Sequence, residues 1–200
     1  VDPSNPANVV HCYNGEVHGT VHLESAIAQS CNSAFAFIGS EIDVNRLQSL
    51  AEDFYYNKDL SIGLPSKAGQ FSLTADSPTW LKMQSGIGQG ETLCTPLQNL
   101  CMVSAIANHG TLRYPTILSE VKSKEGTAVH HFPKGEEITL MSSSESDALK
   151  QFMRSVVTEG TASALKTKAY QVCGKTGSAQ VKEGGKLKTN AWFVGFAPMD

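Results

Sequence analysis

The fold of this protein is decided by the stretch Val172–Val181, which reads "VCGKTGSAQV". The run is typical of a β-strand, but its centre holds a lysine, a glycine and two hydroxyl side chains. Lys175 supplies positive charge, the hydroxyls of Thr176 and Ser178 can hold a carboxylate, and Gly177 lets a ligand lie close to the backbone. The edge of such a strand can also pair with a peptide-like substrate. We therefore expect a substrate-binding strand, although a solvated strand lysine would explain the three letters Lys-Thr-Gly taken alone.

The segments around this strand predict an α+β fold. A second strand, "TNAWFVGFAP" (189–198), follows after the polar turn "KEGGKLK" (182–188). Apolar spacing and capping residues predict helices earlier in the chain, and alternation around "KEG" predicts a hairpin. The predicted helices lie within 23–42, as two segments meeting near Ser30, and within 43–57, 95–109 and 142–159, with hairpin strands at 112–121 and 127–132 and a loop-rich region at 58–93. Helices that come first and a hairpin at the end favour an α+β fold over a βαβ series.

Composition excludes several classes of partner. The formal net charge is −3 and the pI is about 6.1, so we expect no nucleic-acid partner. The sequence contains no run of 18 or more apolar residues, which a membrane-spanning helix would require.

The cysteines and histidines do not predict a metal or disulfide framework. The five cysteines are scattered without a Cys-x-x-Cys pair, so we expect mostly buried free thiols. His18 and His22 are four residues apart, but the intervening Gly-Thr-Val forms helices poorly. We therefore expect no metal site and no cofactor.

Other stretches give the Lys-Thr-Gly strand a context. Residues 30–32 read "SCN", a Ser-x-Asn pattern at a predicted break between two helical segments, where Asn32 and Ser33 are candidate helix caps. In chain order follow "IGQGETLCTPLQ" (87–98), "GTASAL" (160–165) and "AWFVGFAP" (191–198). Together these stretches resemble the transpeptidase domain of penicillin-binding proteins, most closely the monofunctional class B type, from about residue 18 to the last residue.

The resemblance implies serine acyl transfer on a peptide that ends in D-Ala-D-Ala. Ser30 would relay a proton between the nucleophilic serine and the leaving amine, and Asn32 would hydrogen-bond the acyl side of the substrate. Lys175 would position Ser30 electrostatically. The hydroxyls of Thr176 and Ser178 would bind the terminal carboxylate, and the Ser178 N–H would form half of the oxyanion hole. Two further residues belong to the expected substrate-binding set, Gly177 and Gln180.

The family's nucleophile motif, Ser-x-x-Lys, does not occur before Ser30. Two copies of the pattern occur elsewhere, at 119–122 ("SEVK") and 163–166 ("SALK"). The first lies in the predicted hairpin, where residues three apart point to opposite faces of a strand. The second could be helical, with both groups on one side, but it falls in the segment that ordinarily leads into the Lys-Thr-Gly strand. We therefore expect the nucleophile to lie outside this chain, which would be a piece of a longer domain, trimmed at both ends and inactive alone.

We expect residues 1–200 to form a partial transpeptidase domain, with a mainly helical part at 1–110 and the hairpin, helix and Lys-Thr-Gly strand at 111–200. The expected partners are the D-Ala-D-Ala stem peptide of peptidoglycan, β-lactams and the missing terminal segments. The resemblance places the protein at the extracytoplasmic face of the bacterial membrane. Apolar "AWFVGFAP" also predicts self-association through an uncovered face. Two alternatives stay open: a β-lactam-sensing or degenerate module without turnover, and a serine β-lactamase.

Overall fold

The computed structural model describes residues 9–167 and 169–200. These ranges form six α-helices, two short 3₁₀ helices (Tyr13–Gly15 and Ser163–Leu165) and six strands, and the α+β expectation is confirmed. The helices are α1 (Leu23–Ala28), α2 (Asn32–Glu41), α3 (Val44–Asp53), α4 (Thr79–Gly86), α5 (Pro96–Ala107) and α6 (Ser143–Thr158). The strands are β1 (Thr111–Arg113), β2 (Glu120–Lys122), β3 (Ala128–His131), β4 (Glu137–Thr139), β5 (Cys173–Glu183) and β6 (Lys186–Phe196). Within the described ranges, no helix has the length and apolar character needed to cross a membrane.

Side-chain caps fix where the long helices begin. The Asp43 carboxylate accepts a backbone N–H of the first turn of α3. Thr95 and Gln98 satisfy each other's backbone N–H groups at the start of α5, and Ser142 and Glu145 do the same for α6. These reciprocal bonds use N–H groups that a helix cannot pair internally. The predicted starts of these three helices are confirmed.

The two long strands form one antiparallel hairpin. Its ladder joins Cys173 with Phe196 at one end and Glu183 with Lys186 at the other. The turn Gly184–Gly185 has φ of 58° and 77°, the left-handed pair that a tight hairpin turn requires and that glycine adopts without strain. The Lys-Thr-Gly stretch is therefore held as a regular strand with β6 along one edge.

A small apolar cluster joins the hairpin to the first helix. Val156 and Val157 on α6 are fully buried and pack with Ala162 in the loop that follows. Ile27 near the end of α1 and Val172 just before β5 pack against this cluster. Helix α6 therefore brings the end of α1 next to the beginning of β5.

Two glycines bring α2 and α4 into close contact. A Cβ atom at Gly39 would lie 2.6 Å from the Lys82 carbonyl oxygen, and one at Gly86 would lie 2.4 Å from the Phe35 carbonyl oxygen. Only glycine permits this approach of the two backbones. The loop that follows α4 is thereby positioned beside the helical part of the molecule.

The main core lies between α3, α5 and β1. Its buried members are Ala51, Phe54, Tyr56, Leu60, Cys101, Ala105 and Leu112. This core stabilises the helical half and lies apart from the cluster that joins α1, α6 and β5.

Three predictions about elements differ from the structure. The polar turn predicted at 182–188 is confined to Gly184–Gly185, because β5 continues to Glu183 and β6 begins at Lys186. The region 58–93, predicted to be loop-rich, contains α4, whose start has a proline N-cap without a side-chain cap. The predicted strand at 112–121 is instead divided between β1, which pairs with β4, and β2, which pairs with β3. The proline and turn residues between Tyr114 and Ser119 separate the two short strands, since proline cannot donate to a ladder.

Candidate active site

The structure brings the Ser-x-Asn turn and the Lys-Thr-Gly strand together. Lys175 Nζ donates a hydrogen bond to Ser30 Oγ at 2.8 Å and another to the Thr176 carbonyl oxygen at 2.9 Å. Burial lowers the pKa of the Lys175 ammonium below its ordinary value. Among the described residues, no carboxylate forms an ion pair with Lys175. The site therefore presents a partly desolvated cation to whatever binds beside Ser30.

Ser30 is held in a backbone conformation that usually belongs to glycine. It has a φ of 54° and directly follows the C-cap of α1. Its N–H donates to the Ile27 carbonyl at 3.2 Å, and the Cys31 N–H donates to the Ala26 carbonyl at 2.9 Å. This pair of bonds is a Schellman motif, with a serine at the left-handed position. A strained non-glycine residue at this point is characteristic of a functional position.

The Asn32 side chain does not cap α2, contrary to the prediction from its sequence context. Asn32 is the first residue of the helix, and Cys31 stands at the N-cap without a side-chain cap. Asn32 Nδ2 instead donates to the His11 carbonyl at 3.0 Å. The bond holds the preceding chain segment against the Ser-Cys-Asn turn, because residue 11 is thereby fixed next to residue 32.

A second hydroxyl lies beside the Lys-Thr-Gly strand. Thr161 Oγ1 and Thr176 Oγ1 are 2.5 Å apart, and the Thr161 N–H donates to the Ala28 carbonyl. A Cβ at Gly160 would lie 2.0 Å from that same Ala28 oxygen, so the loop can reach α1 only with glycine at this position. The "GTASAL" stretch thus aligns α1 with β5.

The outer edge of β5, opposite β6, is engaged by one side chain. Gln89 Nε2 donates to the Ser178 carbonyl at 3.1 Å, and Gln89 Oε1 accepts the Gln180 N–H at 3.3 Å. One amide therefore makes the two bonds that a neighbouring strand would make. In an extended strand a residue's N–H and C=O point to the same edge, so the Ser178 N–H lies at this outer edge as well.

The remaining strand residues are accessible. Gly177 and Ser178 are exposed, as is Gln180, and Thr176 is half-buried. A Cβ at Gly177 would meet only the Trp192 Cβ, at 3.4 Å, which is an ordinary contact. The fold itself therefore does not require glycine at residue 177.

Two cysteines lie directly behind the Ser-Cys-Asn turn. Cys12 Sγ and Cys31 Sγ are 3.8 Å apart and buried, and His18 is close to both. Burial raises the pKa of the Cys31 thiol above its ordinary value. At Cys12 burial also acts to raise the pKa, but hydrogen bonds involving Ser33, Cys31 and His18 outweigh it and lower the pKa to about 7. The expectation of mostly buried thiols is confirmed, since only Cys94 of the five is half-buried rather than buried.

Sequence reasoning missed three features of this site. Thr161 and Gln89 lie in the stretches "GTASAL" and "IGQG", but the motifs alone do not assign either residue to the site. The grouping of Cys12, His18 and Cys31 is also missed, because their spacing matches no metal motif. The expected site residues themselves lie in one region, from Ser30 through Lys175 to the outer edge of β5.

Comparison with known proteins identifies the family. The family described as "Penicillin binding protein transpeptidase domain" matches residues 4–200. Peptidoglycan D,D-transpeptidase MrdA of Acinetobacter baumannii is 29% identical over 92% of this chain and 30% of its own length. Stage V sporulation protein D of Bacillus subtilis is 32% identical over 96% of this chain and 30% of its own length. The chain thus spans about a third of the length of these relatives.

Solved structures agree with this assignment. The D,D-transpeptidase domain of a peptidoglycan glycosyltransferase from Eggerthella lenta superposes with a TM-score of 0.83 at 25% identity, over 93% of this chain and 47% of that one. Penicillin-binding protein 3 of Mycobacterium tuberculosis, complexed with ampicillin, gives a TM-score of 0.77 at 25% identity, over 88% of this chain and 42% of that one. The chain belongs to the penicillin-binding protein transpeptidase domain family, as its motifs predicted.

Proposed function

We propose that this chain supplies one wall of the active site of a peptidoglycan D,D-transpeptidase. The substrate would be a stem peptide ending in D-Ala-D-Ala, and β-lactams would acylate the same site. Relatives named peptidoglycan D,D-transpeptidase and a neighbouring structure complexed with ampicillin support this proposal. The observation that carries it is the 2.8 Å hydrogen bond from Lys175 to Ser30, which joins the two motifs across the chain.

In this proposal Ser30 and Lys175 act together on protons. The hydroxyl of Ser30 passes a proton from the attacking serine to the leaving amine, and the adjacent ammonium stabilises the charge that develops during the transfer. Asn32 lies next to this relay and orients the acyl side of the substrate. The partial burial of Lys175 strengthens its electrostatic effect, because less water screens it.

The strand binds the other end of the substrate. Thr176 and Ser178 are two residues apart along β5, so their hydroxyls share one face of the strand and can hold the terminal carboxylate. The Ser178 N–H at the outer edge donates to the oxyanion of the tetrahedral intermediate. Gly177 leaves room for the peptide, and the Gln180 backbone extends the pairing edge.

The attacking serine lies outside this chain in this proposal. The two internal Ser-x-x-Lys patterns support this: Ser119 immediately precedes strand β2, and Lys166 Nζ donates to the Thr158 carbonyl at 3.4 Å. A nucleophile and its base need hydrogen-bond reach of each other. Ser163 begins a short 3₁₀ helix (Ser163–Leu165), but among the described residues no hydrogen bond joins its hydroxyl to Lys166 Nζ. A complete active site would therefore combine this chain with a Ser-x-x-Lys helix.

A serine β-lactamase and a sensing module without turnover use the same fold in different ways. A β-lactamase needs a base that activates water to deacylate the enzyme. The relatives that match this chain include a peptidoglycan D,D-transpeptidase and a sporulation protein, and these names support the transpeptidase. Rapid hydrolysis of penicillin would indicate the β-lactamase, and stable acylation without peptide transfer would indicate the sensing module. Transfer from a D-Ala-D-Ala donor to an acceptor amine is the result we expect.

The location and assembly state also belong to the proposal. A protein that cross-links peptidoglycan works at the extracytoplasmic face of the membrane. We also expect the isolated chain to self-associate through β6, because Phe193 is 44% exposed and the pairing found for β6 is with β5 alone among the described residues. Multi-angle light scattering tests this expectation, and a monodisperse monomer at high concentration would contradict it.

Labelling with a fluorescent penicillin tests the function. We expect the full-length protein to form a stable adduct whose tryptic peptide lies outside these 200 residues, and the 200-residue chain alone to form none. Lys175→Met should abolish labelling of the full-length protein, while Lys166→Met should not. An adduct on Ser119 or Ser163 would refute the assignment of the nucleophile.

A further inference from the structure

The Gln89 side chain lies against the edge of β5 that a bound peptide would use. Its amide donates to the Ser178 carbonyl at 3.1 Å and accepts the Gln180 N–H at 3.3 Å. Among the described residues β5 pairs with β6 alone, so within this part of the chain no strand covers the outer edge. Both backbone groups point outward in the plane of the sheet, and an amide that bonds both of them lies in that plane. Gln89 therefore occupies the place of a paired peptide backbone.

The outward-pointing N–H of Ser178 determines which substrate group would compete with Gln89. In an antiparallel pair, two opposite hydrogen-bonded residues exchange both of their N–H···O bonds. An acyl residue whose carbonyl oxygen accepts the Ser178 N–H is opposite Ser178, so its own N–H points at the Ser178 carbonyl. That carbonyl is the group to which Gln89 Nε2 donates. The N–H of the acyl residue and the Gln89 amide therefore need the same acceptor.

The direction of the substrate extends this competition to Gln180. A terminal carboxylate held by Thr176 and Ser178 lies toward the start of β5, so the residues before the acyl residue run antiparallel toward Gln180. The residue two positions before the acyl residue would be opposite Gln180 and would accept its N–H. Gln89 Oε1 accepts that N–H in the structure. A peptide donor that pairs along β5 thus replaces both hydrogen bonds of the Gln89 side chain.

The backbone of Gln89 is fixed independently of these two bonds. Helix α4 ends in a Schellman motif, in which the Gln89 N–H donates to the Gln84 carbonyl at 2.9 Å and the Gly88 N–H donates to the Ser85 carbonyl at 3.0 Å. Gly88 takes the left-handed position of this motif, with a φ of 74°. The side-chain bonds of 3.1 and 3.3 Å lie at or beyond the long end of the usual range of about 2.7–3.2 Å. The side chain can therefore leave β5 by a rotamer change, without movement of the helix.

We propose that Gln89 is a specificity-determining residue that competes with acyl donors for the outer edge of β5. Its side chain covers the edge in the free protein and turns away when a donor with an N–H on its acyl residue pairs with Ser178. The apparent affinity for such donors is reduced by the fraction of molecules in which the edge is covered. Donors without that N–H do not need the Ser178 carbonyl and are not affected. The inference rests on the proposed transpeptidase function, because the oxyanion position sets the register of the donor.

Stopped-flow kinetics of the full-length protein test this proposal, because they separate the Kd of the non-covalent complex from the rate constant of acylation. Benzylpenicillin carries an acylamino N–H in the place of the acyl-residue N–H, and penicillanic acid has the same ring and carboxylate without that group. For Gln89→Ala we expect the Kd of benzylpenicillin to fall by about threefold to tenfold, with an acylation rate constant within about twofold of the wild type. Both constants for penicillanic acid should stay within about twofold of the wild type.

Two further variants separate the hydrogen bonds of Gln89 from its bulk. Gln89→Met keeps the length of the side chain without the amide and should lower the Kd of benzylpenicillin as Gln89→Ala does. Gln151→Ala removes the same side chain from the exposed face of α6 and should leave every constant unchanged. Neither Gln89 variant adds the negative charge of a glutamate, which would itself slow acylation by repelling the developing oxyanion.

The outcomes distinguish a failure of this inference from a failure of the proposed function. An unchanged or raised Kd of benzylpenicillin in Gln89→Ala would overturn the competition, and a lowered Kd in Gln89→Ala but not in Gln89→Met would show that bulk, not the amide, covers the edge. An equal fall in the Kd of penicillanic acid would also overturn it, since that compound has no acylamino N–H. A wild type that neither compound acylates would instead contradict the transpeptidase function itself.

Discussion

Lys175 Nζ lies 2.8 Å from Ser30 Oγ, although 145 residues separate the two in the chain. Three contacts make this meeting possible. Helix α6 packs the end of α1 against the start of β5, Gly160 lets the following loop reach the Ala28 carbonyl, and the Schellman motif turns Ser30 toward the strand. The site is thus a consequence of packing between the two halves of the chain.

The buried charge of Lys175 should make stability depend on pH. Burial lowers its pKa in the folded state, so between that pKa and the ordinary value of about 10.4 the unfolded chain binds more protons. The free energy of unfolding of the wild type should therefore rise with pH relative to Lys175→Met, at up to about 1.4 kcal/mol per pH unit, and level off above the unfolded pKa. Urea unfolding of both proteins from about pH 7 to about pH 10.5 measures this difference. A difference that is constant over the range would contradict the partial burial of the charge.

Replacement of Ser30 by glycine should separate stability from function. The φ of 54° is strained for a residue with a Cβ and free of strain for glycine, so Ser30→Gly should be more stable than Ser30→Ala, which lacks the same hydroxyl, by about 0.5–1 kcal/mol. The same variant should lose β-lactam acylation, because the relay hydroxyl is gone. Ser33→Gly, in the first turn of α2, serves as the control and should be destabilised, since glycine weakens a helix. Thermal melts that show Ser30→Gly to be no more stable than Ser30→Ala would count against the left-handed turn.

Gln89 should control the outer edge of β5. Gln89→Glu removes the N–H that donates to the Ser178 carbonyl and places negative charge beside that oxygen. We expect faster amide hydrogen exchange at Ser178 and Gln180 and a loss of acylation rate of about tenfold, as expected for one charge-disrupted hydrogen bond. Gln151→Glu, exposed on α6, makes the same chemical change away from the strand and should leave both measurements unaltered. Unchanged amide hydrogen exchange at Ser178 and Gln180 in Gln89→Glu would show that the Gln89 side chain does not hold the outer edge of β5.

Two glycine-to-alanine changes should have opposite consequences. In Gly160→Ala the new Cβ would meet the Ala28 carbonyl at 2.0 Å, so the loop must move at a cost of about 1–3 kcal/mol in stability. In Gly177→Ala the new Cβ has an ordinary contact at 3.4 Å, so stability should stay within about 0.5 kcal/mol of the wild type while penicillin binding weakens. Chemical denaturation and fluorescent penicillin labelling measure the two effects. A large loss of stability in Gly177→Ala would mean that this glycine serves the fold instead of the ligand.

Local sequence signals predict those helices and strands whose ends and faces are set by residues close together in the chain. Asp43, Thr95 and Ser142 mark helix starts correctly, and Lys175 within an alternating run marks a strand with a binding edge. Helix α4 is missed because its N-cap is a proline without a capping side chain, and its packing against α2 depends on a pair of glycines far apart in sequence.

The unpredicted parts of the site are those that depend on tertiary contact. Thr161 meets Thr176 only because Gly160 contacts α1, and Gln89 reaches β5 only because α4 packs on α2. The cluster of two cysteines and one histidine behind the Ser-Cys-Asn turn follows no metal-binding spacing and meets through the fold. The spacing of residues along the sequence does not predict contacts between residues that are far apart in the chain. The motif resemblance nevertheless placed the Ser-x-Asn and Lys-Thr-Gly motifs in one site, because a family pattern carries tertiary information that periodicity lacks.

A double-mutant cycle on Ser30 and Lys175 tests the proposed proton relay most directly. The second-order rate constant for acylation by a fluorescent penicillin is measured for the full-length wild type, Ser30→Ala, Lys175→Met and the double variant. If Lys175 acts through Ser30, each single change should slow acylation by about 100-fold or more, and the double change should slow it little further. Single-variant losses that multiply in the double variant, or a Lys175→Met protein that acylates at the wild-type rate, would contradict a shared role for these two residues.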